Sequence, residues 1–438
     1  MVRSLAFALL VPTLLSAQTA ADTIPRVITV DEAVRLARRN SPLTVFSRGE
    51  LRIARAGIKS AYFAFVPTAG VAMGSSWQRG QGFDLQGNVI TVTQRNYSDG
   101  FGARFELFDG GRRFFDLRAA RSMRDYADAT DILQHYQVAL DVKQQYYNVL
   151  AARETEEAGR AQLAEAEQQL RVSIVRLAAG AASRSDSLRS VVTVGNARLA
   201  ILDAQNQVQL ANASLTRLVG TSFPVTATPE DSSAALPEEA GLLDRTSVLV
   251  PAERFPLIEQ REALLSAARA EARAARTSYL PTITASANRG GFGFDRKYGF
   301  GDPYRYSTGF NLSLNFPLLN GLQREENVVR ANVTVDNAEA LLRDAQLRVQ
   351  QEVTQSLGLL RNAGQRVAVQ LVSVAATEED LRLQQQRYAL GAATVLDVLT
   401  SQSALNVARN ALITARFDER VARARLEALL GRSLGSER

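Results

Sequence analysis

Two carboxylates, Asp186 and Asp397, occupy the positions in this chain best placed to do chemistry. Each stands three residues after a hydroxyl (Ser183, Thr394) and six after a glycine (Gly180, Gly391). The pattern S/T-x-x-D is close to a capping box, in which hydroxyl and carboxylate each take a backbone N–H at the start of a helix. Glycine just past a periodic stretch ends a helix in the left-handed region at no Cβ cost. Two roles follow, and the residues alone leave both open. The carboxylates can simply cap, or copies of them gathered around one axis can form a cluster of like charges that attracts cations. Other candidates carry less. His135 is the sole histidine, mid-helix, and there is no cysteine to join it in a metal or nucleophile site. Glu156-Glu157 and Glu378-Glu379 read as solvated helix faces. Gly290-Gly291-Phe292-Gly293 follows an alternating run but opens no helix, so it is not a phosphate cradle. No nucleophile–base constellation is visible, and the chain reads as a non-enzyme without cofactor or metal.

The elements that position these residues are duplicated. RLAAGAASRSDSL (Arg176 to Leu188) returns 211 residues later as RYALGAATVLDVL (Arg387 to Leu399), and each copy sits between two long helical patterns, as the tip of a helix hairpin. Pro42 to Pro67 and Pro256 to Pro281 repeat one 25-residue spacing. Beyond each second proline the period changes from 3.6 to 2. The first half alternates through Ala69, Val71, Met73 and Trp77, then through Phe101, Ala103, Phe105 and Leu107; the second through Ile283, Ala285 and Ala287, then Phe310, Leu312, Leu314 and Phe316. Gly- and Tyr-rich stretches, 78–98 and 289–306, read as loops between them. Two helical runs without proline follow, each on the order of 100 Å long and in need of a coiled-coil partner. Leu163, Leu170 and Leu177 mark one seam, with Val194, Ile201, Val208 and Leu215 on the returning helix; on the second return helix the seam is less regular (Leu405, Leu412, Leu426) and Glu419 breaks it.

The predicted organisation is therefore a signal peptide over 1–21, a first repeat over 22–220, a linker over 221–253 and a second repeat over 254–434. The first repeat places strands at about 68–77 and 99–108 and helices at about 111–178 and 185–219. The second places strands at about 282–289 and 307–317 and helices at about 322–389 and 396–430. Arg3, the apolar Leu5 to Leu15 and the small residues up to Ala17 or Ala21 form the export signal. The net charge of +6 comes from arginines scattered along helices, without the aromatic interleaving of a nucleic-acid surface. No later window is apolar enough for a membrane-spanning helix.

Four amphipathic strands have no stable home alone. Their open edges tolerate neither water nor lipid, and membrane barrels begin at about eight strands, so several chains must share one barrel. In it the apolar face (Phe101, Phe105, Phe310, Leu312, Leu314, Phe316) meets lipid and the polar face (Arg104, Glu106, Asn311, Ser313, Asn315) lines water. Trp77, Tyr97, Tyr298 and Tyr306 read as an interfacial aromatic girdle. A soluble sandwich built on the same strands is the competing arrangement.

The duplicated plan resembles the TolC-like outer membrane efflux proteins, from about Asp31 to Leu434. The residues that carry the likeness are the Asn40-Ser41-Pro42 break, Pro67 and Pro281 before the strands, and Phe316 to Gly321. The two R-[LY]-x-x-G-x-x-[ST]-x-x-D tips and the Leu-x-x-Leu-x-Gly helix ends complete it. The resemblance implies a mainly α fold with a small β-barrel contribution: a homotrimer with a twelve-stranded barrel and a helical tunnel reaching into the periplasm. It further implies docking of a periplasmic adaptor (membrane fusion) protein at Arg176, Gly180, Ser183, Arg387, Gly391 and Thr394. It places a tunnel-mouth constriction at Asp186, Arg189, Asp397 and Thr400. Arg189 and Thr400 depart from the fully acidic version of that constriction, which implies one that is less negative or differently gated. The function implied is a passive exit duct for small molecules, joined to an inner-membrane transporter of the RND or ABC class. Two other readings stand beside it: the duct of an ABC peptide or protein secretion system, and a periplasmic coiled-coil scaffold without a pore.

Overall fold

A computed structural model describes residues 25–83, 85–229, 255–294 and 305–431. The export signal, most of the linker, Tyr298 and the last residues of the second repeat lie outside the described residues. In chain order the elements are β1 (Arg26–Ile28), α1 (Val30–Asn40), α2 (Pro42–Phe63), β2 (Thr68–Phe83), β3 (Val89–Phe108), α3 (Arg112–Ala178), α4 (Arg184–Val219), β4 (Val225–Ala227), α5 (Pro256–Arg276), β5 (Thr282–Phe294), β6 (Arg305–Asn315), α6 (Gln323–Ala389) and α7 (Val395–Leu430).

Helices α3 and α6 each run 67 residues, about 100 Å at ~1.5 Å per residue. Neither contains proline, and neither has a fixed apolar stripe that would hold it straight against one flat core. Instead α3 changes partners along its length. It packs against α2 and α5 toward the sheet and against α4 and α7 toward the tips, while α6 packs against α5 and α7. In the first hairpin Leu163 and Leu170 close over Ala166, Val194 and Ala197. Further down, the seam turns small and polar: Ser173 and Ser190 are buried, with their hydroxyls 3.0 Å apart. In the second hairpin Leu381, Tyr388, Val395, Val398 and Leu405 form the matching core. Glu419 sits half-buried in the return helix, where burial pushes its carboxyl up from the ordinary range and Arg420 and Arg423 only partly offset this.

The largest core lies midway, where the first repeat folds back on itself. Val142, Tyr146, Val149 and Leu150 of α3 meet Ala33 and Ala37 of α1, Leu215 and Val219 of α4, and the strands β1 and β4. Those two strands pair in parallel, Arg26 to Val225 and Ile28 to Ala227, which ties the lead of the chain to the first residues of the expected linker. The sequence gives them no alternation, so the lead read only as extended and residues 225–227 as linker. Tyr146, fully buried, donates its hydroxyl to the Ile28 carbonyl at 2.9 Å and accepts the Thr228 N–H at 3.0 Å. The Leu-x-x-Leu-x-Gly ends close the same region. Gly220 and Gly431 adopt φ of +72° and +64°, and a Cβ on either would come within 2.9 Å of Asn40 Cβ or Pro256 Cγ.

The four long strands make one antiparallel sheet, ordered β2-β3-β5-β6. The two hairpins join into one sheet, because β3 pairs with β5 along most of their lengths. Several expectations need correction. The stretch 78–98 is mostly strand, with β2 and β3 16 and 20 residues long. Its Gly, Ser and Gln residues look like loop but still pair, Gln78 with Gln94 and Gly82 with Ile90. Likewise β5 runs on to Phe294, so the GGFG stretch lies within a strand. Finally, the last strand ends at Asn315, so Phe316 lies beyond it, and a bulge between Glu106 and Phe108 takes Leu107 out of register and sets Phe108 opposite Ile283.

Replacing Tyr146 with Phe removes one donor to the Ile28 carbonyl and one of the two acceptors of the Thr228 N–H, which also reaches that carbonyl at 3.1 Å. The expected loss is about 0.5–1.5 kcal/mol, read as a lowered thermal midpoint of the detergent-solubilised protein. An unchanged midpoint would show that β1 and β4 are not tied through this hydroxyl.

Candidate functional site

Two regions carry the residues singled out above: the hairpin tips and the sheet. At the first tip Gly180 has φ of +74°, its N–H bonds to the Leu177 carbonyl, and the Ala181 N–H reaches the Arg176 carbonyl at 2.8 Å. A full capping box then opens α4: Ser183 Oγ accepts the Asp186 N–H at 3.2 Å, and Asp186 Oδ2 accepts the Ser183 N–H at 3.0 Å. The second tip repeats this with Gly391 at φ +78° and Thr394 in place of serine. There Asp397 Oδ2 accepts both the N–H and the hydroxyl of Thr394, each at 2.8 Å. These bonds, the Thr394 N–H first, hold the Asp397 carboxyl below the usual carboxylate range, with Arg387 adding to the effect. Asp397 is therefore ionised at neutral pH, and its contribution to the cap is lost only as pH falls through that depressed value. Arg189 and Thr400 are exposed one turn further on, where the Thr400 hydroxyl bonds back to the Leu396 carbonyl.

Arginines tie the tips together. Arg176 Nη1 donates to the Tyr388 carbonyl at 2.5 Å and the Ala389 carbonyl at 3.2 Å, across to the second hairpin, and its guanidinium lies 4.5 Å from the centre of the Tyr388 ring. Its Nη2 also reaches the Ala181 carbonyl, as Arg387 Nη2 reaches that of Ala392. Some 20 Å from the tips by helix rise, Arg409 of α7 bonds Glu165 of α3 at 3.2 Å and Glu378 of α6 at 3.0 Å. Sequence reading missed this bridge and took Glu378 for a purely solvated face. The signal was present, since Arg409 and Glu378 have repeat mates Arg198 and Glu167 that pair at 3.1 Å. Glu379 does lie on an exposed helix face, paired with Arg382, and Glu157 is exposed too, whereas Glu156, paired with Arg160, is mostly covered.

The sheet separates its two faces residue by residue. Directly paired residues share a face, so Phe101, Phe105, Ala285, Ala287, Phe310, Leu312 and Leu314 lie on one side. Arg104, Glu106, Thr284, Ser286, Asn311, Ser313 and Asn315 lie on the other. Neither face is covered: Phe310 is 76% and Leu314 66% exposed. Tyr97 and Trp77 stand further out, paired with Ser75 and Arg95.

His135 sits 3.3 Å from Asp131, whose other oxygen accepts the Ser47 hydroxyl at 2.5 Å. The carboxylate stands between the hydroxyl and the imidazole, so this is not a nucleophile with its base. Among the described residues no group of three metal-ligating side chains occurs, and no helix is long and apolar enough to cross a membrane.

An exposed two-faced sheet carried on hairpins of this length defines a channel-wall subunit, one segment of a barrel continued by helices. Residues 33–221 and 252–432 match the family of outer membrane efflux proteins, and the chain belongs to that family of outer membrane channels. It is 29% identical to protein CyaE of Bordetella pertussis over 383 residues, covering 85% of this chain and 77% of that one. It is 28% identical to the pyoverdine export outer membrane protein OpmQ of Pseudomonas aeruginosa over 349 residues, 77% of this chain and 69% of that one. The crystal structure of the CmeC outer membrane channel of Campylobacter jejuni shares its fold, with a TM-score of 0.78 at 16% identity over 93% of this chain and 87% of that one. The chain is thus an outer membrane protein.

Burial lowers the His135 pKa from its ordinary value; Asp131 opposes this, and the Arg48 and Arg38 charges add to it. The unfolded chain therefore takes up a proton more readily than the folded one. Stability is expected to be full above about pH 6.5 and to decline below it. His135→Gln should flatten that slope in thermal melts between pH 5 and 7; an equally steep slope in the variant would assign it to other groups.

Proposed function

We propose that this chain is one third of the exit duct of a tripartite efflux pump. Three copies close their four-stranded sheets into a twelve-stranded barrel in the outer membrane. The apolar face from Phe101 to Leu314 meets lipid, as does Phe316 just past the last strand. Arg104, Glu106, Asn311, Ser313 and Asn315 line the water-filled lumen. The observation that carries this reading is the sheet itself: β2 and β6 are outer strands with one unpaired edge each, and both faces lack protein cover. Lipid-exposed edges are forbidden, and only closure removes them. The strand length supports it too, since about 10 tilted residues span the apolar layer and β2 and β3 have residues to spare on the outside.

Helices of about 100 Å then carry Asp397 and its neighbours to the far end of a periplasmic tunnel. There Arg176, Gly180, Ser183, Arg387, Gly391 and Thr394 receive the hairpins of a periplasmic adaptor, which joins the duct to an inner-membrane transporter. Asp186, Arg189, Asp397 and Thr400 surround the mouth, so the duct is a passive path whose narrowest ring carries three ionised Asp397 carboxylates. Small-molecule export is favoured by the likeness to OpmQ, named for pyoverdine export.

The test is to purify the protein in detergent, measure its mass and record single-channel conductance in a planar bilayer. A trimer with discrete conductance steps is expected; a water-soluble monomer without conductance would remove the duct. Asp397→Ala is expected to weaken block of that conductance by divalent cations from the periplasmic side. Unchanged block would leave Asp397 a helix cap and nothing more.

A further inference from the structure

The cations of this chain are less evenly spread than its net charge suggests. On α2, Arg48, Arg52, Arg55 and Lys59 follow one another at helical spacing and are all exposed, and the helix has a single acid, Glu50. Neighbours in such a row stand one turn apart, about 6 Å. That is inside the ~8 Å over which physiological salt screens a charge, so the four act together. Among the described residues Arg52, Arg55 and Lys59 have no carboxylate partner, and Arg48 donates to the Arg38 carbonyl at 2.9 Å.

Contacts and the repeat together show which way this row faces. Arg113 of α3 lies over the ring of Phe105, on the apolar face of the sheet, 5.6 Å from its centre. Five residues further on, Arg118 points about 140° away around the helix, to the side that continues the polar face of the sheet. There it lines a cavity of about 420 Å³ with Glu262, Ser266, Arg269 and Arg273 of α5. Those four α5 positions are the repeat mates of Arg48, Arg52, Arg55 and Lys59, 214 residues on. Structure bears the equivalence out. Arg113 stacks on Phe65 beyond α2 at 5.1 Å, as its mate Arg324 stacks on Tyr279 beyond α5 at 4.4 Å. The α2 row therefore faces the same side as Arg118. Arg121 joins it, held over the Tyr62 ring and bonded to its hydroxyl.

Acids on this side are fewer and partly engaged. Asp125 pairs with Arg124, Glu339 of α6 takes up Arg269 at 2.7 Å, and Glu262 shares its cavity with Arg118 and Arg273. Arg118 and Arg273, like the middle of the α2 row, have no carboxylate partner among the described residues.

We propose that the stretch of tunnel beside the barrel is a belt that binds multivalent organic anions, and that polycarboxylates are the class of cargo it favours. This rests on the duct proposed above. A guanidinium takes a carboxylate through two parallel N–H bonds. Charge of one sign along a low-dielectric wall also raises the local concentration of counter-ions. The row from Arg48 to Lys59 extends over about 16 Å, which suits an anion with several carboxylates better than one with a single charge. Asp397 at the far end has the opposite sign, so the belt is best probed from the barrel side.

The test uses the full-length protein in a planar bilayer, with citrate added on the barrel side. Citrate is expected to reduce the chloride-carried current in proportion to its occupancy. Arg52→Glu/Arg55→Glu/Arg118→Glu should raise the half-blocking concentration about tenfold or more and shift the reversal potential in a KCl gradient toward potassium. Glu50→Gln, on another side of α2, should change neither. The chain has no native cysteine, so Arg55→Cys gives a second, local reading. Its thiol should react several-fold faster with an anionic thiosulfonate than with a cationic one of the same size, and lose that bias once Arg52 and Lys59 are replaced by Gln. If citrate does not block, or if the charge reversal leaves block and reversal potential as they were, the inference is wrong. A bias at Arg55→Cys without citrate block would put the row on the outer surface of the tunnel, which overturns it equally. Failure of the unchanged protein to form any channel would instead remove the duct itself.

Discussion

An unpaired strand edge is the constraint on which this structure turns. Backbone N–H and C=O groups along β2 and β6 have no partner within the sheet on their outer sides, and a bilayer offers them none. The sheet also shows an apolar face and a polar face with nothing over either. An arrangement that satisfies edges and faces together is a closed cylinder, polar inside and apolar outside. Once closed, the cylinder fixes how its supporting helices stand, because each pair of strands is continuous with a pair of long helices.

Those helices face a different problem. A rod of 67 residues cannot keep one stripe buried against one partner, since the apolar repeat drifts around the helix along its length. Here α3 and α6 exchange partners midway, and the exchange is marked by the largest core, built around Tyr146, β1 and β4. Toward the tips the contacts thin to small residues, serine pairs and arginine bridges. Packing of that kind is less committed than an apolar core.

Duplication gave the chain two copies of one hairpin but not two copies of one environment. The second hairpin has the first beside it; the first has, on its outer flank, only the positions that would complete the pattern. Matched positions therefore lie in different surroundings: Gln260 is buried against α3, whereas its mate Phe46 is exposed. Arg176 and Arg387 show the same divergence in progress: both hold their own hairpin's carbonyl, and only Arg176 has a ring to stack on.

The amino-acid sequence by itself determined what local rules control. The glycine and S/T-x-x-D spacing defined both tips down to the capping hydrogen bonds, because caps depend on residues three or four apart. Proline positions and the switch of period marked where helix gives way to strand, and strict alternation over Phe310 to Asn315 assigned the two faces. Tertiary structure decided the rest. The polar, glycine-rich stretch 78–98 pairs as strand because its partner strand holds it, which outweighs weak local preference. Strands β1 and β4 pair through their own backbone bonds, and Tyr146, more than a hundred residues from one and about eighty from the other, buttresses the pair from α3. The Arg409 bridge and the Arg176–Tyr388 clamp join residues over two hundred positions apart, and no periodicity within either helix encodes which arginine reaches across.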